Sequence, residues 1–382
     1  MFNLEARRKA RWITAVFYFV SGVVTASWAS RIPEIQQGLG LDDARWGGVL
    51  FAIPVGQVCG LPLSSWMVSR YGTRGIIGWS MVLFALNLWL LALAPSVWVL
   101  VPLLVLFGLC RNLVNISINT NSLEVQKLYD RPIVTTFHGL WSLACLVAAA
   151  AGTLMIARGV APAGHFALSA ALVTGASFLF KGKIHGTGPG AVERRPFFIA
   201  PDRYLFLLGL IAFCAMICEG TMFDWSVNYF RQVIKVDKEQ VTFGYTSFIM
   251  AMTAGRLVGD KMIARFGPVA VLVANGILMA IGYSLAIFFP YLWSACAGFL
   301  VVGLGDSIVI PLVYMLATKT KKMPPAYAIA SVTIIGYAGF LSGPLLVGSI
   351  SKAFGMQWSF ALVAVLALSI SVLVLRVRKV QV

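Results

Sequence analysis

The amino-acid sequence predicts an all-α membrane protein of twelve transmembrane helices, and three observations lead to this prediction. First, 59% of the 382 residues are hydrophobic and only 12% are charged, whereas a soluble domain carries about 25% charged residues. Second, the apolar residues form runs long enough to cross a bilayer as helices, which takes about 20 residues each. Third, lysine and arginine concentrate in every second connection between these runs, as expected for cytoplasmic loops.

Twelve apolar runs lie between charged or Gly/Pro-rich breaks, and they define the predicted spans. They cover residues 12–30, 45–68, 75–95, 97–122, 132–157, 163–181, 204–229, 240–263, 268–288, 291–317, 325–350 and 356–375. The connection after the sixth span is long, basic and rich in glycine and proline. This cytoplasmic linker, residues 183–203, separates an N-terminal six-helix bundle (1–182) from a C-terminal six-helix bundle (204–382).

The distribution of positive charge tests the number of spans independently. With a cytoplasmic N-terminus, 21 of the 30 lysines and arginines lie on the inside and two lie within spans. The seven on the outside are Arg31, Arg45, Arg158, Arg231, Lys235, Lys238 and Lys352. Because a miscounted helix would invert every later connection, this asymmetry favours twelve spans with both termini cytoplasmic, in the inner membrane of the cell.

Composition and motifs argue against several other classes of protein. The net charge of +16 lies in short connections between apolar runs, which does not fit a nucleic-acid-binding surface. The six cysteines lie inside apolar runs without a CxxC pair, so neither a disulfide framework nor a metal site is expected. No HExxH motif or P-loop occurs. We therefore expect no enzyme activity, no cofactor and no ATP-driven pumping.

The second half of the chain repeats features of the first at a constant offset of 195 residues. This offset pairs Gly60 with Gly255, Gly108 with Gly303, Arg111 with Asp306, and Arg70-Tyr71-Gly72 with Arg265-Phe266-Gly267. A shared offset across several helices predicts that the two six-helix bundles are duplicated copies. Two such bundles suit alternating access, in which they rock around a site at the middle of the membrane.

Twelve spans, a 6+6 repeat and a long cytoplasmic linker resemble the major facilitator superfamily. That family has a motif of roughly G-x-x-x-D-R-x-G-R-R between its second and third helices. Here Ser65, Ser69, Arg70, Gly72 and Arg74 occupy the corresponding positions. The basic residues and the turn glycine are present, but serine replaces the aspartate. The segments SWASRIPEIQQGLGL, FHGLWSL and EGTMFDWSVNY are similar to a bacterial branch of fucose-permease-type sugar:proton symporters.

The resemblance implies that the basic motif residues control conformational change at the cytoplasmic side. The candidates for this gating are Arg70, Gly72, Arg74 and, in the second copy, Arg265. The second copy also lacks the aspartate of the family motif. Arg256 and Asp260, four residues apart in GRLVGD, are candidates for a substitute ion pair.

Four ionisable residues stand out within predicted spans, where charge is costly and usually functional. They are Arg111 in span 4, Glu219 and Asp224 in span 7, and Asp306 in span 10. The family resemblance implies that helices 1, 4, 7 and 10 line the central cavity. We therefore expect these four residues to take part in binding the solute or the coupling ion.

Span 4 carries a polar stripe that predicts a solute-binding face. Arg111, Asn115 and Asn119 recur every four residues, with Asn112 beside them. Asp306 lies at the depth of Arg111 by the repeat, so the two form a candidate ion pair between the bundles. The structural alternative is an arginine satisfied by neighbouring asparagine amides and helix ends.

Carboxylates of spans 7 and 10 are candidates for proton coupling. Glu219 is expected in the outer half of span 7, where removal from water disfavours its charged form. Asp306 is also a carboxylate within a span, so removal from water disfavours its charged form as well. Asp224 is expected nearer the outer rim beside Trp225, where it is either an interfacial charge or a binding residue.

Aromatic residues add further candidates for solute binding. His138 in span 5 is either a proton relay or a structural histidine bonded between helices. Trp28 and Trp141 are either apolar platforms for a ring-shaped solute or membrane anchors.

Two transport functions fit these residues. The favoured one is proton-coupled import of a small polar solute, sugar-like or a related metabolite; sodium is the alternative coupling ion. The second is proton-driven efflux of drugs or metabolites by an antiporter, but the glycine-rich signature of the efflux branch in span 5 is not evident. We expect a monomer whose partners are the solute, the ion and the lipid bilayer.

Overall fold

The computed structural model describes residues 4–129, 133–186, 201–320 and 325–380, and no β-strand occurs within these ranges. Thirteen α-helices account for most of the described chain. They are α1 (Leu4–Gly38), α2 (Asp43–Leu50), α3 (Ala52–Ala92), α4 (Val97–Gln126), α5 (Val134–Ala157), α6 (Pro162–Phe180), α7 (Arg203–Tyr229), α8 (Phe243–Phe266), α9 (Pro268–Phe288), α10 (Leu292–Asp306), α11 (Val309–Ala317), α12 (Pro325–Phe354) and α13 (Met356–Val380).

Eleven segments of the described chain are long and apolar enough to cross a membrane. The predicted span that is not among them is α8, whose second half carries Arg256, Asp260, Lys261 and Arg265. An all-helical, multi-pass membrane architecture is therefore confirmed. The count of twelve and the cytoplasmic position of both termini stay predictions.

Short polar side chains and prolines begin several helices where the sequence changes from loop to apolar run. The carboxylate of Asp42 accepts a hydrogen bond from the backbone of Arg45 at the start of α2, and Asp202 caps α7 in the same way. Pro162 and Pro268 occupy the first turns of α6 and α9, where the missing N–H of proline costs nothing.

Two glycines at the repeat offset adopt the same unusual backbone conformation. Gly72 interrupts the helical geometry of α3 with φ 73° and ψ 163°, and Gly267 separates α8 from α9 with φ 79° and ψ 156°. Residues other than glycine rarely adopt a positive φ. The turns predicted after spans 2 and 8 are thus present, and they are equivalent in the two halves.

Glycine also permits the same helix contact in each half of the chain. A Cβ atom on Gly108 of α4 would overlap the carbonyl oxygen of Ile53 in α3. A Cβ atom on Gly303 of α10 would overlap the carbonyl oxygen of Phe248 in α8. Ile53 and Phe248 differ by the same 195 residues as the two glycines.

A second pair of glycines extends this agreement along the same helices. Gly60 faces Leu109 and Asn112, and Gly255 faces Leu304 and Ser307, again at the constant offset. Equivalent residues therefore make equivalent contacts, which confirms the internal repeat as duplicated packing. Small residues allow such close backbone approach between membrane helices.

The chain divides into two compact units. Unit 1 contains residues 1–40 and 52–194, and unit 2 contains residues 41–51 and 195–382. Most of the predicted linker, residues 187–200, lies outside the described residues.

The short helix α2 was expected in the first bundle but packs with unit 2. Gln232 donates a hydrogen bond to the Asp43 carboxylate at 3.0 Å, and Ser351 of α12 donates a second. Gly47 lies directly against the carbonyl oxygen of Pro344 in α12. A polar group at the start of α2 and a glycine contact in its middle thus join the helix to α12.

Candidate solute and ion site

The candidate ion site in unit 2 is built around a break in the tenth predicted span. Helix α10 ends at Asp306 and α11 begins at Val309. Pro311 lies four residues after Ser307, so it has no N–H to donate to the Ser307 carbonyl, and its ring disfavours a regular turn there. Arg256 of α8 instead donates its Nε–H to that carbonyl oxygen at 3.2 Å.

Arg256 also links this break to a carboxylate of α7. Its Nη2 lies 3.8 Å from Oε1 of Glu219, and the two side chains are 22% and 24% exposed. Because both side chains are partly buried, water screens this pair less than it screens an exposed surface ion pair. One guanidinium therefore connects helices α7, α8 and the α10–α11 break.

Asp306 lies beside this ion pair and is 6% exposed. Neither of its carboxylate oxygens accepts a hydrogen bond from the part of the chain that the structure describes. Asp306 lies within electrostatic range of Glu219, which has the same charge, and of Arg256, which has the opposite charge. The cluster thus holds two carboxylates and one guanidinium, and it is electrically balanced when one carboxylate is protonated.

The sequence placed Glu219 and Asp306 among the candidates separately, and the structure brings them together. Arg256 was expected to pair with Asp260, but its described ionic contact is with Glu219. The side chain of Asp260 lies outside the described residues. Asp224 follows Glu219 by five residues, which turns it to another face of α7, and it is only half-buried.

The polar stripe of α4 forms a connected amide cluster in unit 1. Asn119 donates from Nδ2 to Oδ1 of Asn115 at 2.6 Å. The hydroxyl of Tyr18 in α1 donates to Oδ1 of Asn119, also at 2.6 Å. The ring of Tyr18 meets the imidazole of His138 edge-on with centroids 5.3 Å apart. Four side chains from α1, α4 and α5 therefore form one polar group, with Asn115 and His138 exposed.

Sequence reasoning missed Tyr18 because a single tyrosine inside an apolar run gives no periodic signal. Its ring stacks on Phe137 at 5.5 Å, so the apolar face is packed and only the hydroxyl reaches the amides. Tyrosine commonly combines these two kinds of contact when it is buried.

Arg111 and Asn112 lie at the N-terminal end of the same polar stripe of α4. Arg111 is half-buried, and no hydrogen bond or ion pair joins its guanidinium to another side chain or carbonyl of the described residues. Asn112 is buried, and its Oδ1 accepts no hydrogen bond within the described chain. The pairing of Arg111 with Asp306 stays a prediction.

The two candidate tryptophans differ in their surroundings. Trp28 is buried against Phe107 and Phe166, with ring centroids 5.8 and 6.5 Å away. Trp141 is half-buried, and its carbonyl oxygen packs closely on Gly22 of α1. Trp28 therefore contributes to the packing of unit 1, and a solute-binding role for either residue stays a prediction.

The candidate gating arginines lie at exposed helix ends. Arg74 donates from Nη2 to the carbonyl oxygen of Gly182 at 3.4 Å, and Arg265 lies over the ring of Phe266 at 5.3 Å. Arg70 is also exposed. Nothing within unit 1 or unit 2 tests the gating hypothesis for these residues.

A second buried charge cluster in unit 1 was not predicted from the sequence. Arg31 is 0% exposed, donates from Nη1 to Glu34 at 2.6 Å, and donates from Nε to Nδ1 of His165 at 3.1 Å. The expectation that Arg31 lies in a connection was wrong, because α1 continues through Pro33 to Gly38, and its position on the outside stays a prediction. The i,i+3 spacing of Arg31 and Glu34 was the available signal.

Buried charge at a broken helix within an all-helical, multi-pass membrane fold is typical of transport proteins. Comparison with known proteins leads to the same class, transport proteins. The Major Facilitator Superfamily model matches residues 12–322 and 205–381. An uncharacterized MFS-type transporter of Yersinia pestis is 30% identical over 358 residues, covering 94% of this chain and 93% of that protein. The chain therefore belongs to the major facilitator superfamily and is an MFS transporter.

Solved structures share the fold at much lower sequence identity. The nucleoside transporter NupG is 12% identical with a TM-score of 0.81, over 96% of this chain and 99% of that one. The xylose transporter XylE from E. coli is 10% identical with a TM-score of 0.73, over 97% and 98%. At this level of identity the likeness establishes the fold alone.

Proposed function

We propose that this transporter imports a small polar solute, sugar-like or a related metabolite, together with protons by alternating access. In this proposal the moving bodies are the predicted bundles 1–182 and 204–382, joined by the cytoplasmic linker 183–203 in the inner membrane. The observation that carries the proposal is the Glu219–Arg256–Asp306 cluster at the broken tenth span.

Proton coupling follows from the unequal surroundings of the two carboxylates. An ionised carboxylate that is buried without hydrogen bonds costs several kcal/mol. Asp306 is in this situation, whereas Glu219 has Arg256 beside it. Uptake of one proton removes the excess negative charge of the cluster and leaves the Glu219–Arg256 ion pair, and release of the proton restores the excess negative charge. We propose Glu219 and Asp306 as the proton-carrying pair, with Asp224 outside it.

The amide cluster of unit 1 supports a hydroxylated solute. Asn115, Asn119 and the Tyr18 hydroxyl bond to one another at 2.6 Å, and each amide has further donor and acceptor capacity that can bind hydroxyl groups in either direction. The names of NupG and XylE, a nucleoside and a xylose transporter, fit this class of solute. The predicted likeness to fucose-permease-type symporters belongs to the same proposal.

The test uses the purified protein in liposomes that enclose a pH-sensitive dye. Sugars, nucleosides and small metabolites are added outside, and internal acidification is followed. The variants are Glu219→Gln and Asp306→Asn. Glu239→Gln is the matched control, because Glu239 is an exposed carboxylate of unit 2 outside the cluster.

Solute-dependent acidification that is lost in Glu219→Gln and Asp306→Asn, but retained in the control, would support proton symport. Solute uptake without proton movement would overturn the coupling and leave a uniporter or a sodium-coupled carrier. Alkalinisation of the lumen when lipophilic cations are added outside, and enter in exchange for protons, would instead favour the efflux antiporter.

A further inference from the structure

Helices α1 and α5 of unit 1 enclose a groove of about 1180 Å³ that none of the proposed transport chemistry uses. Arg7, Arg8 and Arg11 line it at the start of α1, and Val16, Phe19 and Leu140 are among the residues that line it further along. Its lining among the described residues contains no carboxylate. The groove therefore combines a concentrated positive charge with an apolar slot.

The lining of the groove follows one face of α1. Arg8, Trp12, Ala15 and Phe19 recur at three- to four-residue spacing, which places them in one stripe along the helix. Trp12 is 73% exposed although it lies in a membrane-spanning helix. The stripe changes from basic to aromatic to apolar in the direction that enters the bilayer.

The basic end of the groove is held in place by Tyr129. The guanidinium groups of Arg7 and Arg11 lie 5.2 and 5.9 Å from the centre of its ring. The Tyr129 hydroxyl donates a hydrogen bond to the Arg7 carbonyl oxygen at 2.9 Å. These contacts join the start of α1 to the segment after α4, so the arginines remain beside the slot.

We propose that this groove is a binding site for an anionic phospholipid. The phosphate group would contact Arg8 and Arg11, and an acyl chain would lie along Val16, Phe19 and Leu140. Basic groups between membrane helices bind anionic headgroups, and tryptophan favours the headgroup level at which Trp12 would lie. The occupant is a lipid of the surrounding bilayer, because a soluble anion would leave the apolar part of the slot uncovered.

The experiment measures lipid retention by native mass spectrometry on delipidated protein in detergent. The probes are phosphatidylglycerol, phosphatidylcholine of the same chain length, and glycerol phosphate, which has the headgroup chemistry without acyl chains. The test variant is Arg8→Gln/Arg11→Gln. The control is Lys9→Gln/Lys127→Gln, which removes two exposed charges outside the groove lining.

We expect phosphatidylglycerol to bind at least about tenfold more tightly than phosphatidylcholine, and the test variant to lose this preference while the control keeps it. Equal binding of both lipids would overturn the proposal. An equal loss of phosphatidylglycerol binding in the test variant and the control variant would also overturn it. Binding of glycerol phosphate as tight as that of phosphatidylglycerol would show a free-anion site instead. Thermal unfolding of each variant without lipid separates a lost site from a lost fold.

Discussion

Helix α4 in unit 1 and the α10–α11 pair in unit 2 occupy equivalent places in the two copies but differ in continuity. Their glycine contacts match residue for residue, since Gly108 and Gly303 each meet a carbonyl oxygen of the neighbouring helix. Yet α4 is continuous from Val97 to Gln126, whereas the second copy breaks after Asp306. Pro311 aligns with Ile116, so one proline is sufficient to account for the difference.

The chemistry of the two copies diverges at the same place. The first copy carries Arg111 and a run of asparagine amides, and the second carries Asp306 with Glu219 and Arg256 nearby. At the repeat offset, Glu219 aligns with Val24 and Arg256 with Leu61, so unit 1 has no counterpart of the ion cluster. Duplication thus preserved the packing, while the polar groups became an amide face in one unit and an ion site in the other.

The sharpest test of this division compares the two arginines. Arg256→Gln leaves both carboxylates without a cation and the Ser307 carbonyl without its donor. Because the paired side chains keep some exposure, we expect a loss of about 1–3 kcal/mol of unfolding free energy, less than for a fully buried pair. We also expect at least a tenfold loss of transport rate.

Arg111→Gln is the matched variant in unit 1. Arg111 has no ionic partner in the described chain, so we expect less than about 1 kcal/mol of destabilisation but weaker solute binding. Thermal unfolding and solute uptake measured on both variants separate the two effects. Equal destabilisation by both substitutions would contradict the inference that an ion pair holds Arg256 but not Arg111.

The equivalence of the scaffold is tested by Gly108→Ala and Gly303→Ala. Each added methyl would overlap a backbone carbonyl oxygen, and overpacking of this kind costs about 1–3 kcal/mol. We expect both variants to lose similar stability in thermal unfolding. Gly175→Ala is the control, because no atom lies within 4 Å of its added Cβ. A clear difference in stability loss between Gly108→Ala and Gly303→Ala would contradict the equivalence of the two helix contacts.

The role of the helix break is tested by Pro311→Ala. Alanine restores an N–H that can bond the Ser307 carbonyl, in competition with Arg256. We expect α10 and α11 to join as α4 does, with unchanged or raised stability and a several-fold lower transport rate. Pro344→Ala, inside the continuous helix α12, controls for general stiffening. Full activity of Pro311→Ala would show that the break is not needed.

The smallest effect is expected where α2 joins unit 2. The Arg45 backbone N–H holds the pKa of the Asp42 carboxyl below its usual value of about 3.9, and Lys352, 3.2 Å away, acts in the same direction. A lowered pKa stabilises the fold above the usual value, and this contribution disappears as the pH falls through the folded-state pKa. Asp42→Asn should therefore lower the midpoint of thermal unfolding slightly at pH 7. The difference from the parent protein should shrink as the pH falls below the usual value and vanish below the lowered pKa; a constant difference would exclude this linkage.

The sequence by itself determined the class of fold, the helix boundaries to within a few residues in most cases, the turns at Gly72 and Gly267, and the duplication. These features depend on local chemistry: hydropathy over a span, the φ values that glycine allows, and spacing along one helix. It also marked Glu219, Asp306 and the asparagine stripe as polar groups that lipid disfavours. Only the tertiary structure paired Arg256 with Glu219, joined Tyr18 to Asn119, buried Arg31 against His165, and placed α2 in unit 2. Such partners lie on different helices, so their meeting depends on how each helix is rotated and packed, which no local pattern records.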